Sequence, residues 1–275
     1  MPFKTILVHL ADDKGHTARL RLGIDLASRF EAHLVALYIA TPVSMPAAIT
    51  GRGASFAYIA EATTVAHEKA ATIEAEIRST CERERLSWEW RVEEGDHLDI
   101  MAQYAHYADL AIVSHSRAEL IEDRVMFHVP EDLPLTVACP VIILPERQDF
   151  RPPGKNVLVA WKATREALHT VRAALPILES AETVTVLSVS PPEADPRPDE
   201  MAAAFLARHG VKAQAYADID GNGHVGEVIL AHARDMDVDL IVMGGYGHSR
   251  LREMVVGGVT RHVLDHMQVP VLMGH

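Results

Sequence analysis

The residues in this sequence whose types and spacing best suit chemistry form a glycine-rich segment near the C-terminal end. A short apolar run, residues 238–243, precedes a segment in which Gly244, Gly247, Gly257 and Gly258 are spaced as a phosphate site requires. Apolar residues then recur at helical spacing over residues 257–267. Because glycine has no Cβ and the first N–H groups of a helix are unpaired and electropositive, this pattern predicts an anion or phosphate site. For a glycine loop taken alone, the alternative is a tight strand-to-helix connection that binds nothing.

The spacing of the glycines resembles the nucleotide-binding signature of the universal stress protein family. Gly244, Gly247 and Gly257 match the three glycines of that signature, and the flanking apolar segments are also typical of the family. Gly258 departs from the signature, because nucleotide-binding members carry a serine or threonine hydroxyl there. Losing one neutral hydrogen bond costs ~0.5–1.5 kcal/mol, which weakens binding without excluding it.

An internal repeat supports this interpretation. Residues 108–114 align with residues 238–244, and residues 139–143 align with residues 269–273, both at an offset of 130. The starts of the two copies align at an offset of 151, for example residue 5 with residue 156. The sequence therefore predicts two copies of one domain.

We place the first domain at residues 1–148 and the second at residues 154–275, with the proline- and glycine-rich residues 151–155 as the linker. The difference between the two offsets gives the first copy about twenty extra residues. Residues 41–61, rich in Pro, Gly, Ala and Thr, are expected to hold them as a mobile loop or lid.

The first copy has lost the glycines of the motif. Its residues at the four glycine positions are Ser114, Arg117, Phe127 and His128. Arg117 and Phe127 would fill space that a phosphate chain needs, and Pro130 and Pro134 are expected to disturb the following helix. We expect the N-terminal copy to lack the site. The alternative is a new anion site made of Arg117, His115 and His128.

Strands and helices alternate in both copies, which predicts an α/β fold of two tandem doubly wound domains. The predicted strands are 4–10, 33–39, 87–93, 110–114, 141–144, 156–160, 183–189, 212–217, 240–243 and 269–273. The family resemblance implies that each domain has a five-stranded, mainly parallel sheet of the adenine nucleotide alpha hydrolase-like type. It also implies that the last strands of the copies, 141–144 and 269–273, pair to form an internal pseudo-dimer.

The resemblance assigns further residues to a nucleotide site. Val189, which ends the second strand of the C-terminal copy, would contact adenine through its backbone. The cofactor-binding set predicted for this copy is Val189, Gly244, Gly247, Gly257, Gly258, Val259 and Thr260. Lys162 stands where the family carries an aspartate and reverses its charge, so it either pairs with a phosphate or is exposed. Trp161 either covers a base or packs against the following helix.

Composition excludes several classes of function. The net charge of -12 argues against nucleic-acid binding, which needs concentrated Lys and Arg. No run of apolar residues approaches the ~18 of a membrane span, and no signal peptide precedes the first strand. We therefore expect a cytoplasmic protein. Cys81 and Cys139 show no metal-binding or redox spacing.

The histidines and acids form no predicted catalytic or metal site. His262 and His266 are four residues apart on a helix, but a structural zinc site needs four ligands, and His232, His248 and His275 supply no clear set. The same histidines could instead tune an interface by titrating near neutral pH. Asp218, Asp220 and His224 lie in a turn-forming segment, and Ser249 lacks the context of a nucleophile.

These observations favour a stress-response or regulatory protein that binds ATP or a related adenine nucleotide in its C-terminal copy. Mg²⁺ is expected only together with a bound nucleotide, and any ATP hydrolysis should be slow. The alternative is a structural or partner-interaction module that binds no nucleotide, and a metal-dependent hydrolase ranks third. Expected partners are the nucleotide, an unidentified protein and a second chain in a homodimer, but neither nucleic acid nor a membrane.

Overall fold

The computed structural model describes the chain over residues 2–40, 52–115, 129–146, 151–190, 198–219, 224–245 and 258–275. These residues form a single sheet of ten strands with helices packed on both of its faces. The α/β fold predicted from the alternation of strands and helices is confirmed.

The first five strands lie in the N-terminal half of the chain. Its elements are β1 (Thr5–Leu10), α1 (His16–Phe30), β2 (His33–Ala40), α2 (Arg52–Glu84), β3 (Trp88–Glu94), α3 (His97–Ala105), β4 (Leu110–Ser114), α4 (Val129–Thr136) and β5 (Val141–Leu144).

The C-terminal half repeats this order. Its elements are β6 (Asn156–Ala160), α5 (Arg165–Ala173), α6 (Leu175–Glu179), β7 (Thr183–Ser190), α7 (Pro198–Arg208), β8 (Ala213–Ile219), α8 (Val225–Asp235), β9 (Leu240–Gly244), α9 (Gly258–His266) and β10 (Val271–Gly274). All ten predicted strands are present, and their ends lie within two residues of the predicted ends.

The strands are arranged in the order β3-β2-β1-β4-β5-β10-β9-β6-β7-β8. Within each half every pair of neighbours is parallel. The halves meet where β5 and β10 pair antiparallel, with Ile142 opposite Leu272. The pairing expected between the last strands of the two copies is therefore present, and it joins them into one continuous sheet.

Both faces of the sheet are covered, which explains why most strands read as uninterrupted apolar runs. Ile6 and Val8 of β1 point to one face, where they pack with residues of α1, α2, α5, α6 and α7. Leu7 points to the other face, where α3, α4, α8 and α9 contribute the core. The central strands are thus fixed from both sides, and within each half their carboxyl ends lie at a common edge.

One aspartate in each half ties the fourth strand to the start of the first. The Asp109 carboxylate accepts hydrogen bonds from the N–H groups of residues 4–5 at 2.7 and 2.9 Å. The Asp239 carboxylate accepts from the N–H groups of residues 154–156 at 2.7–3.1 Å. Asp109 and Asp239 are equivalent in the repeat, so both halves use the same charge-assisted contact to satisfy backbone donors before the central strand begins.

The linker packs closely against both halves. The Arg29 guanidinium donates to the Ser180 hydroxyl and to the carbonyl oxygen of Pro153, the latter at 3.4 Å. Gly154 has a φ of 104°, and a Cβ there would lie 2.8 Å from the side chain of Ile177. A glycine is therefore required in this part of the linker by both backbone conformation and space.

The extra residues of the N-terminal half extend a helix. The prediction of a loop over residues 41–61 is wrong for residues 52–61, because α2 begins at Arg52 and runs for 33 residues. Its counterpart α7 has 11 residues. Alanine, the strongest helix former, is frequent here and outweighs the single Gly53; residues 41–51 lie outside the described part of the chain. Across the described residues no helix, α2 included, is long and apolar enough to cross a bilayer.

The helix before β5 forms although two prolines were expected to disturb it. The helix α4 forms over Val129–Thr136 with Pro134 inside it. Pro130 lies in the first turn, where its missing N–H has no helical partner to lose. Pro134 removes one interior hydrogen bond, yet Leu133 is fully buried and holds the helix against the sheet.

The Asp239 contact yields a test of the fold. We expect Asp239→Asn to lower the free energy of unfolding by about 1.5–3 kcal/mol, because the amide has one acceptor oxygen where the carboxylate has two. Urea denaturation measures the change. Asp235→Asn, on the exposed side of α8, is the control and should stay within ~0.5 kcal/mol of the parent protein. Equal stability of the two variants would contradict the role given to Asp239.

Candidate functional site

The predicted site residues lie at one edge of the sheet, where the carboxyl ends of β9, β6 and β7 are neighbours. β6 pairs with β7 on one side and with β9 on the other. The chain therefore builds outward from β6 in one direction and later returns to its opposite side. Such a switch in strand order leaves a crevice at the strand ends, which is the usual ligand site of doubly wound sheets. Val189 and Gly244 both lie at this edge.

Gly244 has a structural reason to be glycine. A Cβ at this position would lie 2.6 Å from the backbone nitrogen of Ala167 and 2.9 Å from the carbonyl carbon of Glu166. Both atoms belong to the first turn of α5, which crosses directly over the end of β9. The missing Cβ thus allows a helix to approach the strand end, and this close packing accounts for Gly244 without a ligand.

The N-terminal half meets the same steric requirement with the opposite choice of residues. Ser114 is the repeat equivalent of Gly244, and Gly15 is the equivalent of Glu166. A Cβ on Gly15 would lie 2.7 Å from the Ser114 hydroxyl oxygen. The small residue lies on the helix side in the first half and on the strand side in the second.

The start of α9 is the part of the predicted site that is open to solvent. Gly258 is exposed, and a Cβ placed on it would meet no atom within 4 Å. Val259 is 36% exposed, whereas Thr260 is buried together with Val263 on the core side of the helix. The backbone N–H groups of this first turn carry partial positive charge. Because the Thr260 side chain is buried, only its backbone is placed to contact a ligand.

Several residues of the motif fall outside the described part of the chain. They are Gly247 and Gly257 of the predicted site, His248 and Ser249 in the same loop, Asp220 after β8, and Arg117, Phe127 and His128 of the N-terminal half. The assignments of Gly247 and Gly257 stay predictions, as does the alternative anion site built on Arg117 and His128.

The residues that follow β6 have different surroundings. The Trp161 ring packs against the core, and its backbone N–H donates to the Leu187 carbonyl at 2.7 Å. Its indole Nε1 is buried and has no hydrogen-bond partner. The Lys162 side chain is exposed at the same edge. Of the two roles considered for Trp161, packing against the protein is the one observed.

At the corresponding edge of the N-terminal half, a buried arginine takes the place of open space. Arg19 is 1% exposed. Its guanidinium donates to the His9 carbonyl oxygen at 2.6 Å, to the Asp13 carboxylate at 2.7 Å and to the Ser114 hydroxyl. The equivalent residue in the C-terminal half is Thr170, whose hydroxyl donates to backbone carbonyl oxygens. This edge of the N-terminal half is therefore filled by its own paired cation.

Two buried histidines lie beside this arginine. His9 Nε2 and His97 Nδ1 are 2.8 Å apart, and both side chains are almost fully buried. Burial, reinforced by the positive charge of Arg19, lowers the pKa of His9 well below its usual value. Burial also lowers the pKa of His97, to about 4. Both rings are therefore neutral at neutral pH.

Sequence reasoning missed Arg19, His9 and His97, although two of them carry a pattern that could have revealed them. His9 lies two residues after the buried Leu7 and therefore on the same face of β1. Arg19 lies on the same side of α1 as the buried Leu22 and Leu26. No local pattern identifies His97 as the partner of His9, because the two residues are 88 positions apart.

The remaining histidines and cysteines form no cluster in the described residues. No group of three or more His, Cys, Asp or Glu is placed to hold a metal ion there. The His262 and His266 rings stack with centroids 4.4 Å apart. Asp218 pairs with His232 at 2.6 Å. Both thiols, Cys81 and Cys139, are buried, and burial raises the pKa of Cys139 to about 12.

Comparison with known proteins identifies relatives of this chain. Residues 154–275 match the family model described as the Universal stress protein family. Universal stress protein Slr1230 of Synechocystis sp. is 44% identical over 50 residues, which cover 18% of this chain and 17% of that protein. Universal stress protein YxiE of Bacillus subtilis is 39% identical over 74 residues, which cover 27% of this chain and 48% of that protein. The chain thus spans less than half the length of these curated relatives.

Solved structures share the fold over almost the whole chain. A universal stress protein from Archaeoglobus fulgidus has a TM-score of 0.75 at 16% identity and covers 98% of this chain and 95% of its own. A functionally unknown protein from Pseudomonas aeruginosa PAO1 has a TM-score of 0.65 at 17% identity, with coverages of 99% and 92%. At these identities the likeness establishes the common architecture, including the joined halves.

The packing role of Gly244 can be tested against Gly258. We expect Gly244→Ala to cost about 1–3 kcal/mol of unfolding free energy, because the new methyl group meets the backbone of α5. Gly258→Ala should be neutral or stabilise by up to ~1 kcal/mol, since the methyl group enters open space in a helix. Thermal and urea unfolding of both variants measure these changes. Equal effects at the two positions would show that the end of β9 and α5 do not pack as described.

Proposed function

We propose, from the match of residues 154–275 to the model of the Universal stress protein family, that the C-terminal half binds ATP or a related adenine nucleotide in a stress-response or regulatory role. The observation that carries the proposal is the exposed first turn of α9, which begins at Gly258 beside the switch point of the sheet. Its backbone amides form a ready site for phosphate oxygens. The glycine spacing that leads into this turn matches the nucleotide-binding signature.

The base would occupy the neighbouring strand ends in this proposal. Val189 is partly exposed at the end of β7, so its backbone is within reach of a ligand in the crevice. Lys162 supplies a cation at the same edge, where the family's aspartate would have supplied an acceptor. We therefore propose weaker recognition of the adenosine end than a complete signature would give, with phosphate contacts supplying more of the affinity.

Nucleotide binding is proposed for the C-terminal half alone. At the equivalent edge of the N-terminal half, Ser114 replaces Gly244 and Arg19 is already neutralised by Asp13. A nucleotide entering there would have to displace a buried guanidinium that donates hydrogen bonds to a backbone carbonyl, a hydroxyl and a carboxylate. Breaking a buried ion pair leaves an uncompensated charge, which is strongly unfavourable.

The remaining parts of the proposal concern the setting of this site. Mg²⁺ would enter only with the nucleotide, any hydrolysis would be slow, and the protein would act in the cytoplasm with an unidentified protein partner. A second chain could extend the internal pseudo-dimer to a homodimer. The competing function is a structural or partner-interaction module, and it is favoured by the finding that close packing alone requires Gly244 to be glycine.

Titration calorimetry with ATP separates these two functions. We expect saturable binding with one ATP per chain, because in the described part of the N-terminal half the equivalent edge is filled by Arg19. The control is inorganic phosphate, which should bind far more weakly because it lacks the nucleoside contacts. No heat of binding at millimolar ATP would contradict the proposed function and leave the interaction module in its place.

A second test uses a substitution at Gly258 that should tighten ATP binding. Gly258→Ser would supply the hydroxyl that the signature carries, in a position where the side chain meets open space. One added hydrogen bond should tighten ATP binding roughly 2- to 10-fold. Gly258→Ala is the matched control and should leave the dissociation constant unchanged. If serine and alanine give the same affinity, the terminal phosphate does not lie at the start of α9.

A further inference from the structure

A contact between two buried histidines joins the end of β1 to the first turn of α3. His9 is the fifth residue of β1 and is 4% exposed, while His97 is the first residue of α3 and is 2% exposed. Their rings meet edge to face with centroids 5.1 Å apart and with ring nitrogens 2.8 Å apart. In the neutral state one ring donates its N–H to the lone pair of the other, so both nitrogens at the contact are satisfied.

Arg19 places a permanent positive charge next to this pair. Its guanidinium is bound to the backbone carbonyl of His9 itself, at 2.6 Å. In the described part of the chain, the carboxylate paired with it is that of Asp13, at 2.7 Å. An added proton on either imidazole would therefore create a second buried cation beside the first. A proton on each would also turn two donors toward each other across the 2.8 Å contact.

Other ionisable groups lie on the described elements that neighbour β1 and α3. Asp12 lies in the loop after β1 and is paired with Lys69 of α2, while Asp96 caps α3 through the N–H of Asp99. The remaining groups are His16 at the start of α1, Tyr38 of β2, and His115 after β4, which lies 3.8 Å from Asp265 of α9. Asp96 favours the protonated form of His97, but burial outweighs that attraction.

The C-terminal half lacks this arrangement. The repeat places Ala160 at the position of His9, and the first residue of α8 is Val225 where that of α3 is His97. The titratable contact of the helix α8, which is equivalent to α3, is instead His232 with the Asp218 carboxylate of β8 at 2.6 Å, so a cation there would have an acidic partner. Acidification should act on one half of a duplicated fold, with the other half as an internal reference.

We propose a further function for the N-terminal half: the His9–His97 contact is an acid-sensitive connection that releases the first turn of α3 from the end of β1 when the surroundings become acidic. This function does not depend on nucleotide binding. The helix α3 packs against α4, and α4 touches both β5 and β10, the strands that join the two halves. A displacement of α3 therefore has a packed route to the seam of the sheet.

The direction of the pH response follows from the lowered pKa values of both rings. A histidine whose pKa is depressed by its folded surroundings stabilises that state above its ordinary value of ~6.5, and the stability is lost as pH falls below it. The pKa of His97 is about 4 while α3 is docked. From that residue alone, release should become roughly tenfold more favourable at about pH 5.5 and roughly thirtyfold at about pH 5.

Hydrogen exchange of the full chain, followed by mass spectrometry at about pH 7.5 and about pH 5 and corrected for the intrinsic rate, tests the proposal. We expect the protection of α3 amides to fall at least tenfold on acidification, while α8 keeps its protection. The variant H9Q/H97N should abolish the acid response, because glutamine and asparagine place hydrogen-bonding atoms near the two ring nitrogens but do not titrate. H106N, a change at a histidine just after α3, is the control and should keep the response.

Two results would overturn the proposal: α3 protection that is unchanged at the acidic pH, or an acid response that persists in H9Q/H97N. Proton NMR titration of the wild-type imidazoles provides an independent measurement should the double variant fold poorly. We expect the His9 and His97 resonances to keep the chemical shifts of neutral rings through the pH range in which exposed histidines titrate. Ordinary midpoints near ~6.5 for either ring, with α3 still docked, would contradict the account.

Discussion

One steric constraint recurs at the working edge of both halves: the first turn of the helix after the central strand lies directly against the end of the neighbouring strand. In the C-terminal half the strand residue is Gly244, and the helix backbone would be 2.6 Å from its Cβ. In the N-terminal half the helix side carries Gly15 and the strand side carries Ser114. Each half therefore needs one small residue at this crossing, and the choice of side decides which groups can occupy the edge.

The two choices leave different groups at the strand ends of the two halves. With a serine on the strand, the N-terminal half provides a hydroxyl acceptor for Arg19, which also binds Asp13 and the backbone of His9. The edge is then filled by a satisfied polar network. With a glycine on the strand, the C-terminal half has only Thr170 at the arginine position and leaves the start of α9 open. Among the described residues the two edges therefore differ, because Arg19 fills one and Gly258 is exposed at the other.

Much of the fold followed from local patterns in the sequence. Apolar runs such as residues 156–160 predict buried parallel strands. The aligned segments that contain Asp109 and Asp239 predict the repeat. The start of α9 was also predictable, because Val263 and Leu264 define its buried side. These features depend on residues close together in the chain, where hydrophobic periodicity is informative.

What could not be predicted depends on contacts between distant residues. The reason for glycine at position 244 lies in the backbone of Ala167, 77 positions earlier in the sequence. Burial of Arg19 depends on Asp13 and on Ser114, the latter 95 positions away. The composition of residues 41–61, rich in Pro, Gly, Ala and Thr, predicts a loop, but α2 begins at Arg52. Local composition did not reveal where this helix begins.

The central claim is that the duplicated fold has one open nucleotide site, in its C-terminal half, and one site closed by its own side chains. Photocrosslinking of the full chain with an azido-substituted adenine nucleotide, followed by peptide mapping, tests this most directly. The account predicts labelled peptides from residues 154–275, with competition by unlabelled ATP. Competed labelling of peptides from residues 1–148, or no competed labelling anywhere, would contradict it.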